Sequence, residues 1–367
     1  VSSPRSRRSA TRIPLRAPDR PDPAAAAGPA RFAGLLTGLG SFAALLVGAA
    51  LVAALIGTAT LSTAVPEGIE DPGPVVHYGI PVVRMLLDLG AVATAGLALL
   101  AKLVGFDRPD RTEPVIAPTR RLAVWTSALW GISALLAIVL LTVELGGTPT
   151  PASIWNYISS IAAGKGLLLS AGCAVLSIWL SVLAVRHGER VPAELRVGVA
   201  LFGLLPLPLT GHASNWYYHD LTMISMELHV VAATAWAGGL AAVIIFLIRQ
   251  PVLLAQTLPR FSKLATWCVL VVGVTGVLNG LIELALSPIT ALPGSLFTTR
   301  YGLLILAKTL CMVLVAVTAA VIRYRLLPRI IRRERTAVTF WAGWELVVLA
   351  VAFGVAVVLT RTPVTSL

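Results

Sequence analysis

Long apolar runs, separated by short basic or Pro- and Gly-rich stretches, set the pattern of this chain. A helix that crosses a bilayer needs about 20 mostly apolar residues. By that measure the pattern predicts nine spans, at about 34–60, 81–104, 122–145, 161–185, 196–211, 221–248, 262–286, 301–322 and 339–360. The fifth is short and carries Pro206 and Pro208. Each proline removes a backbone donor, so a kink or break is expected at its outer end. Residues 1–31 show no apolar period and hold Arg5, Arg7, Arg8, Arg12, Arg16, Arg20 and Arg31. They read as a disordered basic tail on the cytoplasmic side. The run at 32–65 is longer than the roughly 7–15-residue core of a cleaved signal peptide. It reads as an additional N-terminal membrane helix, placed ahead of an eight-helix membrane domain at 75–362.

Composition sharpens the picture. Of 367 residues, 57% are hydrophobic and 13% charged, with a mean hydropathy of +0.85. A soluble domain carries roughly 25% charge. So little charge cannot cover a water-facing surface, and the main partner of the chain is the lipid bilayer. The expected fold is an all-α polytopic helix bundle with its amino terminus inside and its carboxyl terminus outside. The net charge of +12 fits that topology and argues against a nucleic-acid partner. With the amino terminus in the cytoplasm, only Arg84, Lys165, Arg300, Lys308 and Arg361 fall outside the tail and the alternate loops. All other Lys and Arg residues obey the positive-inside rule. Cys173, Cys268 and Cys311 occupy different spans without a C-x-x-C, which excludes a disulfide scaffold and a zinc ribbon. Gly276-x-x-x-Gly280 and Gly238-Gly239 are expected to let helices approach closely. No ATP-binding motif is present, and the chain is expected not to be an enzyme.

Ionisable residues in hydrocarbon are costly and mark function by default. Nearly all of them fall in the outer halves of the spans, with Glu345 the exception. The inner halves read as almost purely apolar, so the expected cavity opens outward and is closed below. His212, His219 and His229 lie within one short stretch at the outer face. Helical spacing places His219, Met223 and Met226 on one stripe with His229 at its margin. Imidazole and thioether together suit copper, as Cu(I) or Cu(II). The expected metal ligands are therefore His212, His219, His229, Met223 and Met226. Asp220 and Glu227 are candidates to orient an imidazole or balance charge. Asp88 and Lys308 read either as a buried ion pair or as gating residues around the metal. Arg84 is expected to extend toward the outer headgroups.

Residues 75–362 resemble the CopD copper-resistance family of inner-membrane proteins. The matching pieces are Thr210-Gly-His-Ala213, His219-Asp220, and His229 leading into Trp236-Ala-Gly-Gly-Leu240. Arg260-Phe-Ser262, Val274-Thr-Gly-Val-Leu-Asn279, Tyr301-Gly302 through Lys308, and Glu345 ahead of Thr360-Arg-Thr-Pro363 continue the series. Tyr78-Gly-Ile-Pro-Val-Val-Arg84 and the extra first helix resemble a branch in which a CtaG-like module, linked to cytochrome oxidase assembly, follows the CopD region. The resemblance implies copper taken from the extracytoplasmic side of a bacterial plasma membrane, with His212, His219 and His229 as ligands. It also implies a periplasmic copper carrier or a CtaG-like cytochrome oxidase assembly factor as partner. Two other readings compete: a haem b or quinol-linked electron-transfer protein, and a structural assembly subunit without metal.

Overall fold

The computed structural model describes residues 28–61, 73–146, 148–210, 219–286, 292–332, 334 and 336–362, excluding the side chains of 28–39, 61, 210, 219–221 and 286. Among them no β-strand occurs. The helices are α1 (Gly28–Leu61), α2 (Pro74–Val104), α3 (Pro109–Glu144), α4 (Pro151–Ser160), α5 (Ala162–His187) and α6 (Ala193–Phe202). They continue with α7 (His219–Leu247), α8 (Pro251–Leu286), α9 (Ser295–Thr298), α10 (Arg300–Val321), α11 (Leu327–Ile331) and α12 (Val338–Leu359). A π-helical stretch, Ile322–Leu326, joins α10 to α11. The chain divides into two compact units, Val1–Ala44 and Leu45–Leu367. The first is helical from Gly28.

Local chemistry explains the helix ends. Helices α2, α3, α4 and α8 each begin on a proline, whose fixed φ suits the first turn and whose missing N–H would be unpaired there anyway. Thr150 and Ser153 cap α4 reciprocally, each side-chain oxygen accepting from the other's backbone N–H at 3.2 and 3.0 Å. Gly105 and Gly188 follow α2 and α5 at φ 74° and 61°, a region that favours glycine.

Eight helices among the described residues are long and apolar enough to cross a membrane: Gly40–Thr60, Pro74–Val104, Pro109–Glu144, Ala162–Arg190, Thr222–Leu247, Pro251–Ala285, Arg300–Ile331 and Val338–Leu359. The expected fifth span, 196–211, is not one of them. It is α6, ten residues long, followed by turns and a 3₁₀ helix at Leu207–Thr210. Pro206 and Pro208 account for the break. The segment still traverses the bundle. Glu194 forms an ion pair with Lys102 at the end of α2. At its other end, the Pro206 carbonyl packs against Gly166 near the start of α5, where a Cβ would lie 2.9 Å from the oxygen.

Close packing rests on small residues. A Cβ on Gly96 of α2 would sit 2.2 Å from the Gly238 carbonyl oxygen of α7, so the two backbones are in contact there. Gly90 meets the Trp130 backbone in the same way, joining α2 to α3. The buried Trp130 ring is seated by Gly203, and its Nε1 donates to Ser170 Oγ of α5 at 2.9 Å. Trp125, Trp155, Trp179, Trp267 and Phe340 stand exposed, as aromatic side chains facing lipid or its interface do.

The two ends of the bundle differ. At one end the carboxylate of Glu113 accepts both arms of the buried Arg120 guanidinium, at 2.5 and 3.1 Å. Arg260 donates to the Leu103 carbonyl at that end, at 3.0 Å. At the opposite end Arg361, following α12, pairs with Glu144 at the end of α3. Burial, and then the Glu144 carboxylate, push the hydroxyl of Tyr157 on the neighbouring α4 up to about 12.

Candidate functional site

A cavity of about 490 Å³ opens among α2, the 3₁₀ stretch, α7, α8, α10 and α12, in the half of the bundle away from the basic end. Helical periodicity delivers its polar lining. On α7 the facing residues are Thr222, Met226, His229, Ala233 and Trp236. On α8 they are Val272, Gly276, Asn279, Gly280 and Glu283, and on α10 Tyr301, Ile305, Lys308, Cys311 and Met312. Helix α2 contributes Arg84 and Asp88.

The buried His229 is held by α8. Its Nδ1 lies 3.0 Å from Thr275 Oγ1. That hydroxyl donates its single hydrogen to the Val271 carbonyl at 2.6 Å. Thr275 therefore accepts from His229, Nδ1 carries the proton, and Nε2 is the nitrogen with the free lone pair. Gly276 makes room for the ring, since a Cβ there would lie 3.4 Å from Cε1. The second glycine of that motif seats Ile305 of α10, 3.3 Å from its would-be Cβ. Both glycines of the expected packing motif thus shape the cavity.

The side chain of Met226 is oriented in a similar way. Asn279 Nδ2 donates to its sulfur at 3.8 Å, while Asn279 Oδ1 is buried with no hydrogen-bond partner among the described residues. Met312 and Cys311 add a second thioether and a thiol from α10. One imidazole, two thioethers and a thiol thus share one membrane-embedded space, a soft donor set.

Among the described residues the cavity lining holds two basic side chains, Arg84 and Lys308, and two acidic ones, Asp88 and Glu283. Asp88 pairs with Arg84 one turn away on its own helix, both carboxylate oxygens 3.2 Å from Nε. This corrects two expectations. Asp88 is not the ion-pair partner of Lys308, and Arg84 is turned to the cavity instead of extending to the headgroups. Helical register explains both, because a four-residue spacing brings the pair together on one face. Lys308 lines the cavity from α10, as His229 does from α7.

Of the expected ligands, Met226 and His229 lie on the cavity. Met223 and Glu227 are half-buried on α7 and outside its lining. His212 falls outside the described residues, as do the side chains of His219 and Asp220. Among the described residues no three His, Cys, Asp or Glu side chains converge closely enough to hold a metal ion. Met312, Cys311, Thr275 and Asn279 were not among the expected site residues, whereas Glu283, one of the outer-half ionisable residues, lines the expected outer cavity. Met312 stands one turn beyond Lys308 on α10, and that spacing was the available signal.

Fold and cavity together define a polytopic helical membrane protein with a soft-donor chamber between its helices. Comparison with known proteins makes this specific. The profile of the copper resistance protein D-like N-terminal domain matches residues 75–220, and that of copper resistance protein D matches 255–359. The inner membrane protein YebZ of Escherichia coli is 30% identical over 224 residues, 53% of this chain and 74% of YebZ. The copper transport protein CutJ of Bacillus subtilis is 29% identical over 270 residues, 70% of this chain but only 47% of CutJ. The chain thus spans about half the length of CutJ. It belongs to the copper resistance protein D family. No solved structure matches it.

Proposed function

We propose that this chain is a copper transporter of the bacterial inner membrane that receives copper into the α7–α8–α10 cavity from the extracytoplasmic side. The observation that carries this reading is the convergence of His229, Met226, Met312 and Cys311 on one cavity. Thioethers favour Cu(I), and an imidazole with Nε2 unprotonated accepts either oxidation state. With the four charged side chains in balance, an entering cation meets no excess of positive charge. Membership of the family and the likeness to a copper transport protein support the cargo. The likeness to an inner membrane protein supports the location.

The cavity lies in the half of the bundle opposite the basic end. The positive-inside rule therefore favours an extracytoplasmic opening. From there copper moves inward or to a cytochrome oxidase assembly partner, and a soluble copper carrier outside is the natural donor. His212 and His219 enter this account as further ligands, close in sequence to the start of α7. No covalent reaction is assigned.

Cellular copper content under copper limitation tests the direction. A strain lacking the gene is expected to hold less copper than its parent, restored by the parent gene and not by His212→Ala/His219→Ala/His229→Ala. Equal or higher copper in the deletion strain would overturn inward transport.

A further inference from the structure

Glu345, the expected exception in an almost purely apolar inner half, lies on a cavity of its own. This second cavity, of about 180 Å³, lies among α7, α8, α10, the π-helical stretch and α12, toward the basic end. Its polar lining is Glu345, Arg323, Tyr324, Ser262 and Thr266. Glu345 is 2% exposed, and among the described residues no cation pairs with it. Its hydrogen bond comes from Trp236 Nε1 to Oε1 at 3.1 Å. Trp236 lines the outer cavity and Glu345 the inner one, so this bond crosses the wall between them. The wall is thin. The lining passes from one cavity to the other between Trp236 and Leu240, Val272 and Val269, Val315 and Ala316, and Leu349 and Glu345. None of these steps exceeds four residues, a rise of about 6 Å. A π-helical stretch, often found at functional positions, forms the floor. It directs Arg323 onto the Ser262 carbonyl at 3.1 Å and the Thr266 hydroxyl.

We propose that Glu345 is a proton-binding site of the inner cavity and that its bond to Trp236 is the latch between the two chambers. This rests on the copper reading above and adds a residue whose protonation gates passage. Ionised, Glu345 accepts a charge-assisted bond from the indole, and such bonds are roughly twice as strong as neutral ones. A proton taken up from inner-cavity water forms the carboxylic acid, weakens that bond and frees Trp236 to swing; its return to the same water restores the latch. The other charged and titratable groups on this cavity are Arg323 and Tyr324 of the π-helical stretch. Helices α7, α8 and α10 present only apolar or hydroxyl groups to it, and α2 lends it no residue. Arg323 shares this cavity but is directed to Ser262 and Thr266, and among the described residues it forms no ion pair with Glu345.

The test uses the full chain in nanodiscs and in proteoliposomes. Tryptophan fluorescence of the parent is expected to show a pH transition that is absent from both Trp236→Phe and Glu345→Gln. Glutamine keeps the acceptor oxygen and removes the titration. Copper release to a chelator trapped on the inner side is expected to vary with inner pH in the parent and to lose that dependence in both variants. Copper binding by Glu345→Gln is expected to match the parent, which also shows that the variant folds. A Glu345→Gln protein with the parent's fluorescence transition and pH-dependent release overturns the proposal. If the parent binds no copper, the transport reading fails on its own, and the fluorescence transition still decides the latch.

Discussion

At the scale of single residues, the cavity owes its shape to groups that orient donors as much as to the donors. Thr275 fixes the tautomer of His229, and Asn279 fixes the sulfur of Met226. Removing an orienting partner of a metal-binding imidazole commonly lowers affinity about 10- to 100-fold. Thr275→Val is therefore expected to weaken copper binding by about tenfold. Thr275→Ser, which keeps the hydroxyl, is expected to restore it. Copper titration of the purified variants checks this, and equal affinity for parent and valine variant would deny Thr275 its role. These orienting residues were hard to read from sequence. A Thr or Asn inside an apolar run has no distinct pattern, and its partner lies 46 residues away for Thr275 and 53 for Asn279. His229 and Met226 were readable because their spacing on one helix carries the signal.

At the scale of elements, hydropathy located the spans but not the helix ends. Helix α3 begins at Pro109 and α8 at Pro251, about three turns ahead of the expected 122 and 262. Hydropathy marks where lipid begins. Arg, Lys, Glu and Gln are good helix formers, and they carry a helix on past the hydrocarbon into water. The broken crossing at 193–210 was readable from its two prolines, and the Gly238 contact from its paired glycines. The partner of Gly238 was not, because Gly96 carries no motif of its own. Since a Cβ at Gly96 would lie 2.2 Å from a backbone oxygen, no side-chain rotation relieves it. Gly96→Leu is expected to cost about 1–3 kcal/mol or more through overpacking. Thermal unfolding in detergent should show a clearly lowered midpoint, while Gly172→Leu, with nothing within 4 Å, should leave it near the parent value.

At the scale of the whole molecule, two chambers stack along α7, α8, α10 and α12, with the basic residues gathered at the end nearer the smaller one. A reporter fused after Arg190 is expected to lie in the cytoplasm, and one fused after Leu367 outside. Alkaline phosphatase activity at the first and not the second would reverse the assigned orientation. The central claim is that copper occupies the larger chamber on sulfur and nitrogen donors from three helices. Competition for Cu(I) between a chromogenic chelator and the purified chain tests it most directly, with the parent set against Met226→Leu/His229→Ala/Met312→Leu. The account predicts that the parent strips copper from the chelator and that the triple variant, equally well folded, does so at least about tenfold less strongly. Equal competition by the two proteins would contradict it.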